Sequence, residues 1–152
     1  MKLKNYILPE FIIMDLESRD KKAVLEELSK PLSAYSKIEN DELVKILLER
    51  ERLGSTGIGS GIAIPHGKVK GLDSLMIGFG LSKNGVNFES MDDKPAFIFF
   101  VIVTPEDSTG DHLRVLAKIS KLLRDNNLRD QIKNASSYED IIQIINENDA
   151  DD

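Results

Sequence analysis

Ala96-Phe97-Ile98-Phe99-Phe100-Val101-Ile102-Val103 is an unbroken apolar run. It has no apolar/polar alternation, so a strand formed here is covered on both faces, and the sheet that contains it lies between two layers of helices. At eight residues the run is well short of a membrane span. It is the expected centre of a mixed β-sheet in a three-layer α/β/α sandwich.

Reading outward, Ser74 to Leu81 has the composition of a second strand. Asn84-Gly85 is a hairpin-type turn signal, with Val86 to Phe88 as a short return strand. Downstream, Thr104-Pro105 ends the central strand. Ser108-x-x-Asp111 then has the form of a capping box opening a helix that turns Leu113, Leu116, Ala117, Ile119, Ser120 and Leu123 inward. Shorter helices are expected near Leu128–Asn134 and over Tyr138–Ile145, the latter capped by Ser136 or Ser137. The acidic tail 147–152 is expected to fray. Towards the N-terminus, Phe11–Leu16 reads as a first strand. Val24, Leu25, Leu28 and Leu32 recur at helical spacing behind Ser18 or Asp20 as a cap, with Pro31 expected to end or kink that helix. Asn40 is the expected cap of a helix carrying Leu43, Val44, Leu47 and Leu48 and stopping near Gly54.

Between that helix and the strand at 74–81 lies Arg50-Glu-Arg-Leu-Gly-Ser-Thr-Gly-Ile-Gly-Ser-Gly-Ile-Ala-Ile-Pro-His-Gly-Lys68. Glycines at 54, 57, 59 and 61 leave backbone that an anion or a partner can approach closely. Ile62-Ala63-Ile64 reads as a short buried strand. Pro65, with no N–H to donate, ends its ladder and leaves His66 at a strand end facing outwards. Two nucleotide-binding readings fail on spacing. Gly61 and Gly67-Lys68 are five residues apart and followed by Val69, which is not a P-loop. Gly59-Ser-Gly61 leads into strand-like residues and not into a helix, so it is not a dinucleotide fingerprint.

Composition narrows the class further. At 152 residues, 41% hydrophobic and 30% charged, the chain reads as one folded domain over residues 1–152. Without cysteine there are no disulfides and no thiolate chemistry, and Met1-Lys2-Leu3-Lys4 does not lead into a signal-peptide core. A cytoplasmic location and no direct membrane insertion are expected. A net charge of −6 argues against nucleic-acid binding and favours a partner with a basic face. The two histidines have no carboxylate or histidine at i+4 in a ligand pattern, so neither a metal nor another cofactor is expected.

The segment Gly54-Ser-Thr-Gly-Ile-Gly-Ser-Gly-Ile-Ala-Ile-Pro-His-Gly-Lys68 resembles the active-site signature of the mannitol/fructose-type enzyme IIA domains of the bacterial phosphoenolpyruvate:sugar phosphotransferase system. It is most similar to their nitrogen-regulatory branch, and the resemblance spans essentially the whole chain. It implies the same sandwich architecture and a phosphocarrier. On this resemblance His66 is expected to accept a phosphoryl group from phosphohistidine on the carrier HPr or its nitrogen-branch counterpart. Arg50, sixteen residues earlier, matches the arginine that family members hold beside the phosphoryl group, and His112 in Gly110-Asp111-His112-Leu113 matches an assisting second histidine. Amides of Gly57, Gly59 and Gly61 are the expected phosphate donors. The hydroxyls of Ser55, Thr56 and Ser60 serve either as further donors or only as turn formers, and Glu51 and Arg52 read as surface charge. Two outcomes are implied: a regulator whose binding to target proteins depends on phosphorylation, or a subunit passing phosphate to enzyme IIB of a fructose- or mannitol-type permease. A lone domain of nitrogen-branch type favours the first slightly.

Overall fold

The computed structural model describes residues 1–150. Strands β1 (Ile12–Ile13), β2 (Gly57–Gly59), β3 (Ile62–Ala63), β4 (His66–Val69), β5 (Met76–Val86) and β6 (Ala96–Pro105) form one mixed sheet. Its order is β1-β5-β6-β3-β2, with β4 also on β6. Five helices cover it: α1 (Lys21–Ser36), α2 (Asn40–Glu51), α3 (Thr109–Leu122), α4 (Asn126–Lys133) and α5 (Tyr138–Asn148).

The apolar run at 96–103 forms the central strand, antiparallel to β5 and parallel to β3 and β4. Its two-residue period sorts side chains into two cores. Ile98, Phe100 and Ile102 pack with Val115, Ile119, Leu128, Ile132, Ile141 and Ile145 of α3, α4 and α5. Phe99, Val101 and Val103 pack with Val24, Leu25, Leu28, Leu32, Leu43 and Leu47 of α1 and α2. This is the three-layer sandwich expected from the missing alternation.

Several local expectations are corrected. Pro31 does not end α1, which continues to Ser36 behind an Asp20 cap that accepts from the Ala23 amide at 2.9 Å. Leu28 and Leu32 are buried on either side of the proline, and that packing outweighs the missing N–H. Asn40 is the first residue of α2 and not its cap; its amide group donates to the Glu26 carbonyl of α1 at 3.4 Å. Asn84-Gly85 does not reverse the chain. β5 runs through it as a bulge between the Leu81–Ile98 and Val86–Ala96 pairs, with Gly85 at φ 88°, and the return strand is β6. The first strand is only Ile12–Ile13, since Phe11 closes a 3-10 turn. In α3, Ser108 makes no side-chain cap, Leu113 and Ala117 are exposed, and the inward stripe is His112, Val115 and Ile119. Glu147 and Asn148 belong to α5, and the Asp149 carboxylate is buried, accepting from the Leu3 amide at 2.8 Å and Lys118 Nζ at 2.9 Å. The rest of the expected fraying, at 151–152, lies outside the described residues.

β3 and β4 occupy one edge of β6 in succession, interrupted at Ile64-Pro65, where the Pro65 carbonyl accepts the Ile102 amide at 2.9 Å. His66 therefore begins a strand instead of ending one. The glycine after it has a packing reason. A Cβ on Gly67 would stand 2.6 Å from Cγ2 of Ile46 on α2, a branched side chain with little χ1 freedom. Gly67→Ala is expected to destabilise the fold by about 1–3 kcal/mol through overpacking. Urea unfolding should show a lower midpoint at unchanged slope.

Candidate active site

β4 begins with His66 opposite Ile102, beside the end of α2 and the start of α3. Its half-buried imidazole is held from both sides. Nδ1 lies 2.7 Å from the Ile64 carbonyl, which can only accept, so Nδ1 carries the ring proton. Arg50 Nε donates to Nε2 at 3.2 Å, which requires a lone pair there. Both contacts select the same tautomer and leave the free ring lone pair on Nε2. Burial, as the largest influence, keeps His66 below the ordinary histidine pKa. The Ile64 carbonyl and Glu51 oppose that shift and Arg50 adds to it.

Arg50 sits in the last turn of α2 and also donates from NH1 to the Gly54 carbonyl at 2.9 Å. His112 stacks obliquely on His66, with ring centroids 5.4 Å apart, and its Nδ1 is 2.8 Å from the Thr104 hydroxyl of β6. Only 7% of His112 is exposed, because it occupies the first position of the inward stripe of α3. Burial, then His66 and Lys68, lower its pKa to about 4. Lys68, two residues along β4 and on the same face as His66, reaches the Thr109 hydroxyl at 2.9 Å. Ser108 does not cap α3 with its side chain, so first-turn amides stay open towards an anion.

The structure thus brings together Arg50, His66 and His112. It does not bring in Gly57, Gly59 and Gly61, the expected phosphate cradle. β2 and β3 form a hairpin turning at Ser60-Gly61, both with positive φ as a two-residue hairpin turn demands. The Gly57 amide is taken by Ser55 Oγ, and Gly61 lies opposite Phe97 and Ile98, four rows of β6 or about 13 Å from His66. Ser55 Oγ accepts the Gly57 amide across a turn, and the Thr56 hydroxyl donates to the Glu51 carboxylate. Sequence reasoning missed Lys68 and Thr104, although alternation along β4 and β6 carried the signal. It also misread Glu51 as surface charge, whereas Glu51 is buried. Among the described residues, no group of three or more His, Asp or Glu converges as a metal site, and no helix is long and apolar enough to cross a membrane.

Residues 5–148 match the family described as phosphoenolpyruvate-dependent sugar phosphotransferase system, EIIA 2. The chain belongs to this family. Among its EIIA relatives, the fructose-specific EIIABC component of Bacillus subtilis is 39% identical over 98% of the chain, which spans 24% of that longer protein. A nitrogen regulatory protein of Bradyrhizobium diazoefficiens is 32% identical over 95% of both sequences. The crystal structure of nitrogen regulatory protein IIA-Ntr from Neisseria meningitidis superposes with a TM-score of 0.89 at 32% identity, covering 93% of this chain and 97% of that one. The mixed-sheet sandwich is therefore the EIIA fold.

The depressed histidines of this EIIA chain give its stability a pH dependence with a definite sign. An unfolded His112 binds a proton near pH 6.5, while the folded one refuses it until about pH 4. Its contribution is present above pH 6.5 and is lost as pH falls towards 4, on the order of 2 kcal/mol. Melting curves at pH 7.5 and 5.0 should show a drop that His112→Asn makes smaller.

Proposed function

We propose that the chain is a phosphocarrier whose acceptor atom is Nε2 of His66. The observation that carries this reading is the two-sided hold on the imidazole, with the Ile64 carbonyl at Nδ1 and Arg50 at Nε2. In transfer from phosphohistidine on HPr or its nitrogen-branch counterpart, the Nε2 lone pair bonds to phosphorus as the donor's P–N bond breaks. The bonding pair returns to the donor's ring nitrogen, and the donor, already protonated on its other nitrogen, leaves as neutral imidazole. His66 keeps its Nδ1 proton, so the positive character gained by the ring faces the Ile64 carbonyl.

Arg50 then turns from the Nε2 lone pair to the phosphoryl oxygens, a fork suited to two of them at once. The Thr104 hydroxyl can donate to His112 Nδ1, and in that tautomer His112 carries its proton on Nε2 and donates to the same group. Lys68 and the α3 amides add positive potential, so the transfer rests on positioning and charge stabilisation without a cofactor. Leu53, three residues after Arg50, and Leu113, next to His112 in the chain, are exposed apolar side chains at 83% and 61%, as suits docking of a protein donor. Incubation with phosphoenolpyruvate, enzyme I and HPr, followed by mass measurement, should add one phosphoryl group per chain, labile in acid and stable in base. An acid-stable adduct would refute the histidine.

The destination of the phosphoryl group divides the reading. Relatives named nitrogen regulatory protein, alike over nearly their full length, support a regulator that binds targets according to the state of His66. The 39% identity to a fructose-specific component supports transfer to an enzyme IIB. We favour the regulator. Target binding that differs between His66→Ala and the phosphorylated chain supports it, and rapid passage to a co-encoded IIB and on to sugar decides for transport.

A further inference from the structure

Beneath the site lies a buried carboxylate that the transfer chemistry does not use. Glu51 ends α2, is 7% exposed, and pairs with Lys21 of α1 at 3.0 Å. Its Oε1 accepts the Thr56 amide at 3.0 Å and its Oε2 accepts the Thr56 hydroxyl. The Thr56 carbonyl accepts the Ile64 amide at 2.9 Å, and the Ile64 carbonyl accepts the His66 Nδ1 proton at 2.7 Å. A continuous hydrogen-bonded line thus runs from the Lys21–Glu51 pair to the nucleophile. Lys21 Nζ also lies 4.9 Å over the Phe88 ring, whose residue carbonyl accepts from Ser55 Oγ, so the loop before β2 is fastened at the same node.

We propose that Glu51 is the positioning residue of the site: through Thr56 and Ile64 it fixes the tautomer and placement of His66, and through the adjoining backbone it fixes Arg50. A carboxylate is suited to this place because two acceptor oxygens take both donors of Thr56 and the Lys21 ammonium at once. Buried and ion-paired, it has little freedom to move, and that rigidity passes along the line. The charged and titratable groups around His66 are Arg50 and Glu51 from α2, His112 from α3 and Lys68 on its own strand.

This inference rests on His66 as the phosphoryl acceptor, but its decisive readout does not. Nitrogen-15 spectra of the imidazoles in intact, unphosphorylated protein report tautomer and titration midpoint directly. In Glu51→Gln, His66 should show a mixture of tautomers and titrate at lower pH, because a nearby negative charge is gone. Transfer from phospho-HPr should slow by about tenfold per folded molecule. Thr56→Val, which removes only the hydroxyl bond, should shift the spectrum in the same direction by less, and Thr56→Ser should restore it. Should Glu51→Gln fail to fold, Thr56→Val and Thr56→Ser decide by the same spectra. A lowered melting temperature with the wild-type His66 tautomer and midpoint in these variants makes Glu51 a merely structural residue and overturns the proposal. Absence of phosphorylation in the wild type, with the spectra shifted as described, overturns instead the acceptor role of His66.

Discussion

His66→Ala is expected to take up no phosphoryl group, while His112→Ala is still labelled at a reduced rate. The half-buried His66 ring and the buried His112 ring lie 5.4 Å apart, and their hydrogen bonds divide the labour. At His66 the Ile64 carbonyl can only accept, so the free lone pair is on Nε2, where Arg50 already points. At His112 the partner is the Thr104 hydroxyl, which can donate as well as accept, so nothing forces the ring proton onto Nδ1; with Thr104 donating there, Nε2 is protonated and supports an anion instead of attacking phosphorus. Loss of His66 removes the nucleophile outright. Loss of His112 removes one donor to the developing charge, worth about 10²-fold at sites of this kind. Phosphorylation of both variants, with the site mapped on base-stable peptides, checks the assignment; label lost with His112 and kept without His66 would reverse it.

Arg50→Lys is expected to slow transfer nearly as much as Arg50→Ala, although it keeps the charge. One guanidinium spans His66 Nε2 at 3.2 Å and the Gly54 carbonyl at 2.9 Å, and a single ammonium cannot hold both in that fixed geometry. A loss of about 10²-fold in kcat/KM is expected for either variant. The Gly54 carbonyl accepts at an exposed position, so the melting temperature should move little. A second readout has a definite sign. Arg50 helps to hold the His66 pKa down, so Arg50→Ala should raise the midpoint of His66 while Arg50→Lys largely keeps it. Unchanged rates in both variants would make Arg50 an ordinary surface cation.

His66 was singled out through the resemblance of its glycine and Ile-Ala-Ile-Pro-His frame to the family signature; the proline break was legible from local chemistry, but it opens β4 at His66 and does not end a strand there. Arg50 was singled out only because the resemblance implies an arginine sixteen residues before the histidine. Glu51 was not, since a carboxylate inside Glu49-Arg50-Glu51-Arg52 looks solvated, and only Lys21, thirty residues earlier, and Thr56 make its burial tolerable. Gly57, Gly59 and Gly61, expected as phosphate donors, lie in the β2–β3 hairpin. Glycine signals permissive backbone but not what uses it, and here a hairpin turn and close packing do. In α3, Ile119 and Leu123 face inward as expected, but Leu113 and Ala117 do not, and His112, left out of the inward set, fills a core position as an imidazole bonded to Thr104. Asn84-Gly85 marked the right irregularity, and long-range pairing with β6 made it a bulge instead of a turn.

The Asp149 carboxylate that holds both the Leu3 amide and Lys118 places the two ends of the fold within one hydrogen bond of each other. Neighbouring ends leave a unit topologically portable, because a host polypeptide can enter and leave at one spot on its surface without stretching. A circular permutant that joins residue 150 to Met1 through a few glycines and opens the chain at the exposed Gly71 should therefore fold.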